Sequence, residues 1–250
     1  MEPSQQSSSV AIPIAIVFGF GLIALAIYFS NIGGSDKQAP VVTNENVKST
    51  KSNIRAVDKT DYIYGNPNPP ILIVEYSDYE CPYCKIFHET MNQIMNEYGV
   101  TGKVAWVYRQ LPITSSHPNA GYLSESALCV GELGGNDAFW KYSNSIFKNR
   151  SNNEMTNLSK IEGYAKEAGV EGAAFKACID SGKHKKTVEA SVAEANAAGI
   201  GGTPQSFILV GNQQIAIEGA QPYLAVKQII DNIIGQLEGK NVSTSTEPKN

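Results

Sequence analysis

The stretch Ile71-Leu72-Ile73-Val74-Glu75-Tyr76 is a short β-branched, apolar run of the kind that forms a buried strand, and Cys81-Pro82-Tyr83-Cys84 follows after one brief turn. From Cys84 to Tyr98, Ile86, Phe87, Met91, Ile94, Met95 and Tyr98 recur close to helical spacing, with Gly99 as a stop. Lys103 to Arg109 reads as a second strand. Parallel strands need a crossover, usually a helix, so these two strands are expected side by side and parallel. That order confines the chain to an α/β fold with a C-x-x-C pair at a helix start.

The remainder divides by composition. Val10 to Phe29 carries no charge, and at about 1.5 Å per residue it reaches across roughly 30 Å of hydrocarbon. It is read as a single transmembrane anchor, 10–29, behind a short N-terminal tail, 1–9. The rival reading, a cleavable signal peptide, wants a shorter apolar region, a positive n-region and a small-x-small site, none of which is present. Residues 1–9 hold no Lys or Arg while Lys37, Lys48, Lys51 and Arg55 follow the span, so charge points weakly against an outward domain. Residues 30–56 are polar and aperiodic, a flexible linker, and the domain is expected over 57–238.

Within it, about 117–198 shows helical periodicity and almost no strand signal, an inserted helical bundle. Helices are expected around Tyr122–Leu133, Ala138–Phe147, Leu158–Ala168, Ala173–Ser181 and Val188–Ala198. Trp140, Phe139 and Phe147 are read as the core of that insertion. Phe207–Val210 and Ile215–Glu218 flank Gly211-Asn212 as a hairpin, a helix from Pro222 to Leu237 closes the domain, and 239–250 reads as a disordered tail. A net charge of -4 with scattered Lys and Arg leaves no basic face for nucleic acid.

Two cysteines three apart at a helix start can close a small disulfide or present one thiol. Cys81 stands where free backbone N–H groups and the helix dipole favour an anion, so it is the expected nucleophile, with Cys84 resolving the mixed disulfide. Pro82 at the first helical position loses no hydrogen bond and stiffens the turn. The rival reading joins Cys81, Cys84 and His88 to one remote cysteine in a structural zinc site. Such sites usually combine two close cysteine pairs, and here there is one.

The run from Gly65-Asn66-Pro67 through Tyr76-Ser77-Asp78-Tyr79-Glu80-Cys81-Pro82-Tyr83-Cys84, taken with Gly201-Gly202-Thr203-Pro204, resembles the DsbA family of thiol:disulfide interchange proteins over roughly Asp61 to Leu237. The resemblance implies a thioredoxin-like fold with an all-helical insertion. It implies that Pro204 is cis and faces the redox pair, with Thr203 offering backbone groups to a substrate chain; by itself the triplet shows only a turn. It implies that Glu75 is a buried acid beneath the disulfide, able to take the Cys84 proton, where the bland reading is a strand-end surface glutamate. Cys129 and Cys178 resemble a second, structural disulfide of some relatives; two separate buried thiols are the alternative.

The family resemblance further implies a dithiol oxidase, here expected without cofactor or metal; the 10–29 span tethers it to the membrane, and the cysteine chemistry, outweighing the charge bias, puts it on the extracytoplasmic side. It would insert disulfides into unfolded secreted or surface proteins and pass electrons to a membrane quinone-linked thiol oxidase. One residue departs: Tyr83 stands where strongly oxidising members carry His, which leaves a reductase or isomerase as the alternative.

Overall fold

The computed structural model describes residues 54–151 and 154–244. The expected anchor at 10–29, the tail 1–9 and nearly all of the 30–56 linker lie outside them. Among the described residues no helix is long and apolar enough to cross a membrane.

A five-stranded sheet carries the molecule: β1 (Tyr62–Gly65), β2 (Ile71–Ser77), β3 (Val104–Gln110), β4 (Gln205–Val210) and β5 (Gln213–Glu218), in the spatial order β1-β3-β2-β4-β5. β2 and β3 run parallel, Glu75 beside Tyr108 and Ser77 beside Gln110, and the other pairings are antiparallel. β2 has neighbours on both sides and both faces covered, which is why its sequence is a continuous apolar run with no alternation. The β4–β5 hairpin turns at Gly211-Asn212.

α1 (Pro82–Ile94) leaves the end of β2 and ends in one π turn, Met95–Gly99, before the chain enters β3. α2 (Ala120–Asn149) is two helices run together across a kink at Gly135, whose φ of 79° and ψ of -170° only glycine adopts readily. This explains the two separate helical stretches in the sequence. α3 (Ile161–Glu167), α4 (Gly172–Asp180) and α5 (Lys185–Ala197) complete the insertion, and α6 (Tyr223–Thr244) closes the domain. α6 runs past Gly239, where the expected tail begins. A lone glycine costs about 1 kcal/mol in a helix and does not end one, and Lys103 Nζ, 2.9 Å from Glu238 Oε1, ties the preceding turn to the sheet.

Two apolar layers flank the sheet. On one face α1, α2 and α6 pack on Ile71, Ile73, Val104, Trp106 and Ile208. On the other, Ile54, Ala195 and Ile200 cover Val74, Tyr76, Val107 and Phe207. The aromatic residues expected in the core of the insertion reach across the seam to the sheet. Phe139 stacks on Tyr62 at 4.1 Å between centroids, Trp140 lies 4.7 Å from Trp106, and Phe147 lies 6.3 Å from Tyr108.

β1, unread in the sequence, is an edge strand of four residues. Beyond the Gly135 kink, Asn136 makes both hydrogen bonds of a strand neighbour with it. The Ile63 N–H donates to Asn136 Oδ1 and Asn136 Nδ2 donates to the Ile63 carbonyl, each at 2.9 Å. The exposed edge is thereby capped.

Candidate redox site

Cys81 is the residue before the first turn of α1, extended at φ -70° and ψ 123°, and Pro82 opens the helix. No side chain caps that end, so the N–H groups of the first turn face the Cys81 sulfur unanswered. Cys81 and Cys84 are both free thiols and both buried. The Cys84 sulfur accepts from the Asp78 N–H at 3.4 Å, and the Cys81 thiol donates to the Thr203 carbonyl at 3.4 Å. Thr203–Pro204 is a cis bond, so the loop before β4 presents its backbone directly to Cys81.

The two thiols are driven apart electrostatically. Cys81 is lowered from 9.0 to about 6, chiefly because the Cys84 thiol donates to its thiolate, with further help from the Cys84 N–H, Thr203 and the Tyr83 N–H. Cys84 is pushed well above its ordinary value, first by burial and then by the Cys81 charge. One sulfur is set to attack at neutral pH, and the other holds its proton until called on.

Glu75 lies on the same sheet face as α1 and is fully buried. Its Oε2 accepts from Trp106 Nε1 at 3.0 Å while Oε1 has no hydrogen-bond partner. Burial raises the carboxyl from 4.5 to about 8, so it is a protonated acid at neutral pH and charges in mildly alkaline solution.

Other residues hold this loop, and sequence reasoning missed them. Asp78, fully buried, accepts from the Glu80 N–H at 2.7 Å, the Ile113 N–H at 2.7 Å and His117 Nδ1 at 2.8 Å. Glu80 accepts from the backbone N–H groups of Asn119 at 2.9 Å and Thr156 at 2.8 Å. Arg150 Nη2 donates to the Cys81 carbonyl at 3.0 Å. The insertion is therefore bonded to the residues just before the nucleophile and to its own carbonyl. Nothing in the sequence near Cys81 points to these partners, which lie in loops and helix ends far along the chain.

Tyr83 projects outward, 63% exposed beside the pair. His88 is buried, its Nε2 2.6 Å from Asn144 Oδ1 and its ring stacked on Phe147, and burial lowers it to about 4. Among the described residues, Cys81, Cys84 and His88 do not converge as metal ligands. Cys129 of α2 and Cys178 of α4 are joined as a disulfide inside the insertion.

Residues 57–232 match the thioredoxin family model. A putative protein-disulfide oxidoreductase of Rickettsia felis is 28% identical over 175 residues, which cover 66% of this chain and 58% of that one. The Na(+)/H(+) antiporter NhaA 1 of Salinispora arenicola is 26% identical over 148 residues, 59% of this chain but 21% of that protein. The chain thus spans between a fifth and three fifths of these relatives' lengths. In structure it is similar to alpha-DsbA1 of Wolbachia pipientis, with a TM-score of 0.62 and 21% identity, over 74% of this chain and 96% of that one. That likeness is one of fold, and it extends over the helical insertion as well as the sheet. With most of its described residues inside the matched segment, the chain belongs to the thioredoxin family.

Proposed function

We propose that this protein is a thiol:disulfide oxidoreductase acting outside the cytoplasmic membrane, most effective as a dithiol oxidase. The observation that carries the reading is the split between the two thiols: Cys81 lowered to about 6 at an uncapped helix end, Cys84 raised and sealed behind it. Such a pair favours the reduced form with its thiolate, and a stabilised reduced form makes the disulfide a better oxidant.

In the oxidising direction a substrate thiolate attacks Cys81 of the Cys81–Cys84 disulfide. The Cys84 sulfur leaves and takes a proton, supplied by the protonated Glu75. A second substrate thiolate then attacks the substrate sulfur of the mixed disulfide, and Cys81 leaves as thiolate. The substrate gains one disulfide and the enzyme two electrons. The Thr203 carbonyl opposite Cys81 is placed to receive an N–H of an extended substrate chain. Substrates are unfolded chains with paired cysteines, and a membrane quinone-linked thiol oxidase accepts the electrons. An anchor at residues 10–29 would hold the enzyme at the membrane where that partner resides. The Cys129–Cys178 disulfide supports an oxidising compartment.

The test is the equilibrium reduction potential of residues 57–250 against glutathione, with Cys81→Ser as control. A value toward the oxidising end, about -120 to -180 mV, is expected; one near about -270 mV would make the protein a reductase. Absence of any reversible couple dependent on Cys81 and Cys84 would end the catalytic reading.

A further inference from the structure

Beneath Cys84 the sheet carries a row of buried polar groups without well-formed hydrogen bonds. Glu75 Oε1, the Ser77 hydroxyl, the Tyr108 hydroxyl, both amide atoms of Gln110 and the Ser206 hydroxyl all lack a hydrogen-bond partner. The strand register explains their meeting. Glu75 stands beside Tyr108 on one side and Ser206 on the other, and Ser77 stands beside Gln110, two residues on and so on the same face, the one that α1 covers. A buried polar group left unsatisfied is costly, and a row of them calls for a functional explanation. Apolar side chains would have packed there at lower cost.

Ser77 is the best placed of the set. It is fully buried, the last residue of β2, two residues on from Glu75 on the same face and next to Asp78, whose N–H donates to the Cys84 sulfur at 3.4 Å. Its hydroxyl lies within hydrogen-bonding reach of Glu75, Cys84 and Tyr108 and favours the charged form of each, while no one of these contacts is a well-formed hydrogen bond. A hydroxyl can accept one proton while donating another, and no other residue of the row acts on both the thiol and the acid in this way.

We propose that Ser77 relays the proton between Cys84 and Glu75. The inference rests on the thiol-exchange reading above and deepens it. When a Cys81 mixed disulfide is resolved with Glu75 ionised, as it becomes in mildly alkaline solution, the Cys84 S–H proton passes to Ser77 Oγ as the Ser77 hydroxyl proton passes to Glu75 Oε1. The Cys84 thiolate then attacks Cys81, the Cys81–Cys84 bond forms, and the substrate leaves as thiolate. Ser77 ends as it began, and Glu75 has gained the proton. In the oxidising direction the same two transfers run backwards, protonating the Cys84 leaving group. The unpartnered Glu75 Oε1 is the receiving atom, since Oε2 is held by Trp106.

The experiment uses reduced protein mixed with oxidised glutathione in acid, which accumulates the Cys81–glutathione disulfide, followed by a pH jump and stopped-flow detection of released glutathione. Ser77→Ala should slow release about 10-fold to 100-fold, within the range of a lost acid–base group, and move its pH profile upward, while thiolate absorbance shows Cys81 titrating as before. The wild type should give a curved proton inventory in mixed light and heavy water, and Ser77→Ala a linear one. Wild-type release rate and pH profile in Ser77→Ala would overturn the relay, as would a linear inventory in the wild type. A wild-type protein that forms no mixed disulfide at Cys81 would instead remove the exchange reading itself.

Discussion

Cys81 and Cys84 sit within one helical turn, yet one is an acid of about 6 and the other holds its proton far more tightly. Position relative to the helix end and to solvent separates them, and Glu75 answers for the second. Glu75 is raised from 4.5 to about 8, so its contribution to stability is present below about 4.5 and is lost as pH rises through about 8. Cys81 runs the other way, lowered from 9.0 to about 6, with a contribution present above about 9 and lost as pH falls through about 6. Glu75→Gln should therefore hold up better than the wild type in reduced protein as pH is raised from 5 to 8, read from urea midpoints. Parallel slopes in the two proteins would mean an ordinary carboxyl at Glu75. Arg150, whose pKa burial lowers against the opposing pull of the Glu80 and Cys81 charges, should act back on the nucleophile. Arg150→Met is expected to raise the Cys81 pKa in a thiolate-absorbance titration, and an unchanged midpoint would confine Arg150 to bracing the loop.

Elements with an undiluted pattern were legible. β2, α1, β3 and the β4–β5 hairpin each carry one signal from end to end, helical spacing in α1 and apolar runs in the strands, and each stands where its pattern put it. β1 was hidden because Tyr62-Ile63-Tyr64-Gly65 is short, half-buried and at an edge, so neither alternation nor a continuous apolar run marks it. The Gly135 kink was legible only as a gap between two helical stretches. The loop-bracing residues were not legible, since Thr156 meets Glu80 across 76 positions and Arg150 meets the Cys81 carbonyl across 69. Glu75 and Pro204 could be singled out only through the family resemblance, because burial and a cis bond leave no mark on local composition. α2 also approaches β1 closely: a Cβ at Gly131 would run into the Tyr62 ring, which is itself stacked on Phe139. Gly131→Ala is expected to cost about 1–3 kcal/mol by overpacking, measured by urea unfolding, and a neutral substitution would show that Tyr62 swings aside freely.

At the scale of the whole molecule, the Cys129–Cys178 bond closes a loop with a sequence separation of 49 inside the insertion. Constraining an unfolded loop of that length is worth up to about 4 kcal/mol in the chain-entropy account. Cys129→Ala/Cys178→Ala should lose about 2–4 kcal/mol of unfolding free energy while keeping the Cys81–Cys84 couple; stability equal to the wild type would mean that packing alone holds the insertion. The sheet, for its part, separates two territories. Arg109, buried in β3, is 3.1 Å from Asp61 and donates to the Tyr76 hydroxyl at 2.8 Å, and Arg55 grips Asp61 at 2.6 Å. The Arg55 N–H and the Tyr76 hydroxyl both donate to Glu194 of α5. This clamp lies on the side of the sheet away from α1, where the chain enters the domain at Ile54. A pull applied at Ile54 would therefore load ion pairs on the face of the sheet away from α1 before it reached the redox pair.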